Sequence, residues 1–512
     1  MAEMKKYKIS GETLSLDELE SFLWGAATLL RGQIDAAGYK EYIFPLLFFK
    51  RISDVYDEQF DGFVAEGGED YAISQVQDLA IKIPDGAHWR DVRAVTENVG
   101  QKLVSAFIAI EQANPGVERD GRKVGGLENI FGPKDGWTNK NKMPDHIITS
   151  LIEYFSKHNL SLASYPADEM GQAYEFLVGK FADDAGNTAQ EFYTNRTVVT
   201  LMAEILQPQP NESIYDPTCG SGGMLVKCLD FIRNKGEEWQ GVQVFGQELN
   251  GLTSSIARMN LYLNGVEDFS IACANTLSAP AFLDGSHLRK FDVVLANPPY
   301  SISNWKREDF ANDKWGRNFL GTPPQGRADY AFIQHIIASM NDSTGRCAIL
   351  LPHGVLFRNE ESEVRKEMVL SKKVEAVIGL GPNLFYNAPM EACVIICNNK
   401  KSSELEDKVI FINAKNEVTR KNAESYLEES HISKILSAYR NPGDVDDFKR
   451  IVDLSEIEKN HFDLTIHKYV FINEITNNET LDKEEAIKQW SKTSECTSAT
   501  FDKLIELLND AV

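Results

Sequence analysis

No apolar run in this chain approaches the ~20 residues that a helix needs to cross a bilayer, and its first residues hold no apolar signal core. Those absences set the expectation of a cytoplasmic protein without a membrane span. Cysteine is scarce, with seven residues and no CxxC pair, which argues against a disulfide framework and for buried thiols in a reducing compartment. Long basic runs are missing as well. The formal charge is −23, so a polyanionic partner is expected to meet a local patch or another subunit, not the chain as a whole. Nothing fits the GxxxxGKS/T phosphate loop, and a phosphate-rich nucleotide is disfavoured. None of the nine histidines stands in a ligand pattern such as HExxH, and no metal is expected.

What is present centres on one stretch, Asp292 to Tyr300. Phe291 to Ala296 is short, apolar and rich in β-branched residues, and reads as a buried strand. Pro298 and Pro299 cannot continue it, because proline fixes φ and lacks the ladder donor, so Asn297 falls at the strand's carboxyl end. Open α/β sheets bind ligands there. An exocyclic amine on a heterocycle is a poor nucleophile, its lone pair being delocalised into the ring. Two acceptors on its hydrogens, the Asn297 side-chain oxygen and the Pro298 carbonyl, would draw that pair out, with Tyr300 stacked on the ring and the prolines, Pro299 included, keeping the acceptors rigid. Taken in isolation, Asn-Pro-Pro-Tyr also fits an ordinary strand-ending turn.

At 512 residues the chain has room for two or three domains. Residues 1 to about 160 are expected to be a helical packing domain. It opens on the capping box Ser15-x-x-Glu18, followed by Leu16, Leu19, Phe22, Leu23, Ala26 and Leu30 at helical spacing. Pro45, in the apolar stretch Tyr42 to Phe49, reads as a helix start. After Gly171 the pattern alternates. Helices are expected at Gln172–Phe181 and Val198–Leu206, joined by a polar loop at 182–189. A strand at Ser213–Asp216 runs into the glycine loop Asp216-Pro-Thr-Cys-Gly220-Ser221-Gly222-Gly223, which opens the helix Met224–Arg233. That loop lacks GxGxxG spacing. The next strand, from Val242, ends at Glu248, placed to accept two ribose hydroxyls. The third, Phe269–Cys273, carries Asn275-Thr276-Leu277 at its tip, and the strand before Asn297 is the fourth. Further strands at Cys347–Leu351, Val374–Ile378 and Ala392–Cys397, with helices at Ala328–Met340 and Glu360–Leu370, imply a doubly wound, mostly parallel α/β sheet. The glycine loop, Glu248 and Asn-Pro-Pro-Tyr at strand ends together indicate S-adenosylmethionine beside a flipped or free amine.

On these residues the chain resembles the modification subunits of type I restriction-modification systems, which are adenine-specific DNA methyltransferases. The likeness runs from the helical domain through Gly171-Gln172-Ala173-Tyr174-Glu175-Phe176 and Glu191-Phe192-Tyr193-Thr194 to Asn460–Tyr469. It implies a Rossmann-like methyltransferase sheet at 161–425, after the helical domain 1–160 and before a helical region 426–512 that meets a specificity subunit. It further implies that Asn297, Pro298 and Tyr300 hold the target adenine. Glu191 to Arg196 and Ser221 to Gly223 would line the cofactor's methionine end, with Asp216 and Gly220 in the same loop and Glu248 at the ribose. Relatives usually carry proline where Asn195 stands and aspartate where Asn275 stands. The first change is expected to loosen its loop; at the second, the amide oxygen still accepts from the cofactor's adenine amine. The implied partners are double-stranded DNA, a specificity subunit, a second copy of this chain joined through it, and a restriction subunit.

Ser301 to Arg327 reads as a long loop in which Trp305, Lys306, Arg307, Lys314, Trp315, Arg317 and Phe319 interleave charge and rings, as a surface touching bases and phosphates would. Past Lys400 the chain is expected to be helical, with Phe501, Leu504, Ile505 and Leu508 as a stripe on the last helix. The favoured chemistry is direct transfer to a flipped adenine without metal or cysteine nucleophile, Cys219 being a packing residue. Two other readings stand beside it. One is methylation of a protein glutamine amide, and the other is an assembly subunit that binds S-adenosylmethionine without transferring methyl.

Overall fold

The computed structural model describes residues 13–119, 121–184, 194–384, 391–421 and 424–470. The stripe at Phe501–Leu508 and the segment Glu191–Tyr193 lie outside them, as does the end of the polar loop at 182–189.

The central sheet has nine strands: β1 Ser213–Asp216, β2 Gln243–Glu248, β3 Phe269–Cys273, β4 Val293–Ala296, β5 Arg346–Pro352, β6 Val374–Pro382, β7 Glu391–Asn398, β8 Lys408–Ala414 and β9 Lys449–Asp453. Their order is β9-β8-β6-β7-β5-β4-β1-β2-β3. Pairing is parallel from β3 through β2, β1 and β4 to β5, and between β6 and β8. β7 is antiparallel to both β5 and β6, and β9 is antiparallel to β8. The chain lays β2 and β3 on one side of β1, then crosses to put β4 on the other, so the topological switch point falls between β1 and β4. Asp216 and Asn297 flank that point.

Each strand feeds two cores, because successive side chains leave opposite faces of the pleat. Ile214, Val244, Val293 and Leu295 pack on one face. Tyr215, Phe245, Val294 and Ala296 pack on the other. Helices cover both, as the strand-helix alternation in the sequence implies. A small hairpin at Leu283–Leu288, absent from the sequence reading, precedes β4.

The N-terminal region is helical as expected. Glu18 accepts hydrogen bonds from the Ser15 backbone N–H and hydroxyl, closing the capping box on α1, Leu16–Gly25. Ala26 and Leu30 continue as a 3₁₀ turn rather than as α-helix. Pro45 lies inside α2, Lys40–Gly67, and not at its start. It sits near the first turn, where the lost N–H disturbs little of the ladder, and its neighbours are fully buried. α3 is Val99–Ala113 and α4 is Asp145–Phe155.

α5, Ala167–Asp184, leads into the sheet region and extends past both ends of the expected helix. Its Met170, Ala173, Tyr174, Leu177 and Phe181 belong to the core of the N-terminal helices, as do Ile256 and Met259 of α8, Gly251–Leu263. Burial is therefore continuous between the helical region and the sheet's helices. Past Lys400 the expectation of helix is corrected. β8 and β9 extend the sheet there, and a short antiparallel pair at 419–426 precedes the helix Glu429–Arg440. Lys408–Ala414 is a buried β-branched run, whereas β9 mixes charge into an edge strand, which hides its period.

Candidate functional site

The glycine loop is built by two left-handed positions, Gly220 at φ +53° and Gly222 at φ +79°. Non-glycine residues there would be strained. Thr218 N–H donates to Asp216 Oδ1 at 2.9 Å, Cys219 N–H to the Gln247 carbonyl at 3.0 Å, and Gly222 N–H to the Cys219 carbonyl at 2.8 Å. Cys219 is buried against Gly246 of β2, where even a Cβ would fall 2.9 Å from its sulfur. Burial pushes its thiol up, so it packs and does not react. The loop opens α7, Gly223–Asn234, whose first residues, Gly223 and Met224, border a cleft.

One wall of that cleft is the loop itself, with Asp216, Gly220, Ser221 and Gly223. Another is Thr194 and Arg196 at the start of α6, Arg196–Leu206, and Asn297 closes the end. Glu175 of α5 and Lys227 of α7 complete it. Asp216 is fully buried, its Oδ2 has no hydrogen-bond partner, and burial raises its carboxyl to about 7, helped by the nearby Glu248 charge. Glu175 is likewise buried and its Oε1 is unpartnered, with burial raising it against the pull of Lys227 and Arg196. Two unpartnered carboxylate oxygens in one cleft fit a ligand that is cationic and carries its own donors. S-adenosylmethionine is such a ligand.

At the tip of β2, Glu248 accepts from Gly220 N–H at 3.1 Å and Asn250 N–H at 2.8 Å, so it ties the glycine loop to the neighbouring strand. It lies outside the lining of the cleft, as do Asn275, Thr276 and Leu277, which sit at the tip of β3. Thr276 is buried and its hydroxyl donates to the Pro217 carbonyl at 2.5 Å. Asn275 is exposed, and its Oδ1 accepts from the N–H groups of Leu277 at 2.9 Å and Ser278 at 3.1 Å. The expected amide acceptor is thus already engaged by the backbone. Its remaining terminal atom, Nδ2, can only donate.

Asn297 emerges from β4 with its Nδ2 donating to Thr194 Oγ1 at 2.9 Å. The Tyr300 hydroxyl donates to its Oδ1. In this state the ring of Tyr300 turns its hydroxyl onto the acceptor that the sequence reading reserved for a substrate amine. Pro298 is buried, and the segment ends at Ser301, φ +52°, whose N–H donates to Asp329 Oδ1 at 2.8 Å. Asp329 is held in turn by Arg358 at 2.7 Å.

Asn195 is held through both atoms of its side-chain amide. Its Oδ1 caps α6 by accepting from Thr197 N–H at 3.0 Å and its Nδ2 donates to the Ser425 carbonyl at 2.8 Å, while Leu427 N–H donates to Thr197 Oγ1 at 2.9 Å. A proline would keep the chain's turn and lose both side-chain bonds.

The segment 301–327 is ordered by packing, and this corrects the reading of Trp305 and Arg317 as contact residues. Trp305 is buried with Phe310, Ala328, Ala331 and Phe332, and Arg307 Nε donates to the Pro323 carbonyl at 2.7 Å. Arg317 is 1 % exposed, paired with Asp313 at 2.6 Å, and donates to the carbonyls of Thr276 and Leu277 at 2.9 and 2.7 Å. It also meets His335 Nδ1, which must accept from it, leaving the proton on Nε2 toward Tyr215. Lys306, Lys314 and Phe319 remain exposed. Sequence reasoning missed Glu175, Lys227 and the structural role of Arg317. The signal for Glu175 was a lone carboxylate between Ala173 and Val178 in an apolar helix.

The profile of the N-6 DNA Methylase family matches residues 166–478, and that of the HsdM N-terminal domain matches 19–155. The type I restriction enzyme MjaVIII methylase subunit of Methanocaldococcus jannaschii is 32% identical over 505 residues, covering 94% of this chain and 82% of that protein. The HindI methylase subunit of Haemophilus influenzae is 29% identical, covering 76% of this chain and 89% of its own length. A crystal structure of the type I restriction-modification methyltransferase subunit from Streptococcus thermophilus superposes with a TM-score of 0.76 at 29% identity, covering 89% of this chain and all of that one.

Proposed function

The chain belongs to the N-6 DNA methylase family of type I restriction-modification methylase subunits, and we propose that it transfers methyl from S-adenosylmethionine to the N6 amine of a flipped adenine. The observation that carries this reading is the pairing, at one switch point, of a cationic-ligand cleft around Asp216 with the rigid acceptor Asn297 at the neighbouring strand end.

S-adenosylmethionine supplies a methyl group already activated on a sulfonium. The chain's part is to bind, orient and exclude water. Asp216 and the loop Gly220-Ser221-Gly222-Gly223 take the methionine end, together with the segment Glu191 to Arg196. Glu248 takes the ribose. Asn275, Thr276 and Leu277 border the cofactor's adenine, with Asn275 Nδ2 turned to a ring nitrogen in place of the amine. At the other side Asn297 Oδ1 and the Pro298 carbonyl accept from the target amine, so its lone pair localises on nitrogen. Pro299 fixes the acceptors, and Tyr300 turns its ring to the base as its hydroxyl leaves Asn297. Positioning and fixed dipoles then supply most of the acceleration.

With a charge of −23, the chain is poorly suited to hold DNA alone. Sequence recognition belongs in this reading to a specificity subunit carrying two copies of the chain, joined by a restriction subunit for cleavage. The division into 1–160, 161–425 and 426–512 forms part of the same proposal, the last part facing the specificity subunit. Nucleoside mass spectrometry on DNA from a methylation-deficient host expressing the chain with its specificity subunit tests it. N6-methyladenine is the expected product, and no modified base from an intact, cofactor-supplied complex would favour an assembly subunit or a protein substrate instead.

A further inference from the structure

Glu175 is not part of the sheet, yet it reaches the cofactor cleft. It rides on α5, whose Tyr174, Leu177 and Phe181 are buried in the core of the N-terminal helices. Gly171, one turn earlier, lets α5 cross α8 closely, since a Cβ there would fall 2.1 Å from Asn264 Oδ1. This contact brings Glu175 over the start of α7, where its Oε1 lies 3.9 Å from the position of a Gly223 Cβ. Its Oε2 is 3.4 Å from Arg196 Nε and 4.0 Å from Lys227 Nζ. Lys227 is itself held by Asp230 at 2.8 Å. The carboxylate is 5% exposed, and Oε1, with no hydrogen-bond partner, borders the cleft.

A buried carboxylate oxygen without a donor is costly unless a ligand supplies one. Beside it stands a guanidinium, and beneath it the N-terminus of a twelve-residue helix. A cation acceptor next to a carboxylate receptor is the arrangement that recognises an amino-acid zwitterion. The geometry points to Glu175 as a cofactor-binding residue: its Oε1 accepts from the α-ammonium of the cofactor's amino-acid end, with Arg196 beside it for the carboxylate. The inference rests on the cofactor reading above and adds to it that a helix packed into the core of the N-terminal helices contributes a residue to the site. The fixed packing of α5 then sets where the amino-acid end lies.

The test is calorimetric binding of S-adenosylhomocysteine and 5′-methylthioadenosine to the full chain and to Glu175→Gln. The first probe carries the amino-acid end and the second lacks it. Glu175→Gln is expected to weaken S-adenosylhomocysteine ten-fold or more and to leave methylthioadenosine within two-fold. The desamino analogue of S-adenosylhomocysteine is expected to lose nothing further in the variant. Unchanged S-adenosylhomocysteine affinity, or equal loss for every ligand, would overturn the inference. Should Glu175→Gln fail to fold by circular dichroism, the parent chain bears the test: binding the desamino analogue as tightly as S-adenosylhomocysteine also overturns it. If the parent binds none of these ligands, the cofactor reading itself fails.

Discussion

Asp216 turns a burial effect into a pH effect. Its carboxyl in the free chain titrates near 7, above the usual carboxylate range, so below that pH it holds a proton that a cationic ligand must displace. Affinity for S-adenosylmethionine is therefore expected to fall as pH drops from about 7 to 5.5, by up to ~10-fold per unit. Titration calorimetry across that range measures it, and Asp216→Asn is expected to flatten most of the slope; a parent affinity independent of pH contradicts the assignment. Tyr300 makes a second prediction at this scale. Its hydroxyl donates to Asn297 Oδ1, the oxygen that accepts the substrate amine in the proposed reaction, where the ring is to stack on the base. Tyr300→Phe is expected to methylate DNA at least as fast as the parent, and Tyr300→Ala to lose roughly 10- to 100-fold in kcat/KM, since one stacked base is worth ~1–3 kcal/mol. Steady-state kinetics separates the two, and a Phe variant as impaired as Ala would show that the hydroxyl is needed.

The elements that hold these residues were legible to different degrees. β1 to β4 and the helices between them follow from buried apolar runs punctuated by glycine and proline, and the local pattern alone places Asp216, Glu248 and Asn297 at strand ends. Strand order was not local, and neither was the edge strand β9, whose residues read Lys-Arg-Ile-Val-Asp. The loop 301–327 misled for a related reason. Trp305 and Arg317 look like contact residues in sequence, but tertiary packing buries them, and their partners at Gln325 and Thr276 lie outside any window of pattern. Arg317 now makes its own prediction. Removing its guanidinium leaves Asp313 without its counter-charge, and Asp313 Oδ1 and the carbonyls of Thr276 and Leu277 without their donor, so Arg317→Met is expected to cost ~3–5 kcal/mol of stability, and to weaken cofactor binding through the loop it supports. Thermal unfolding with and without S-adenosylhomocysteine reads both effects; an unshifted midpoint contradicts them.

Among the described residues, one core joins the N-terminal helices to α5 and α8, and Asn260 of α8 donates to the Ser221 carbonyl of the glycine loop at 3.0 Å. Lys50 and Asp54 of α2 pair inside that core, and Asp54 Oδ2 accepts from Leu160 N–H at 2.6 Å, anchoring the approach to α5. The helical region and the sheet are expected to unfold in one calorimetric transition through residue 470, and two separated transitions would show that they are independent. On the proposed reading, partners gather the DNA while this chain, with its formal charge of −23, supplies the acceptor and the cleft. The most direct test of that account uses the assembled complex with Asn297→Ala in this chain. Methyl transfer to adenine is expected to fall by ~10³ or more, the scale of removing a preorganised group that acts at the reacting centre, with S-adenosylhomocysteine affinity and assembly unchanged. A variant that still methylates within ten-fold of the parent would contradict the placement of the chemistry at the end of β4.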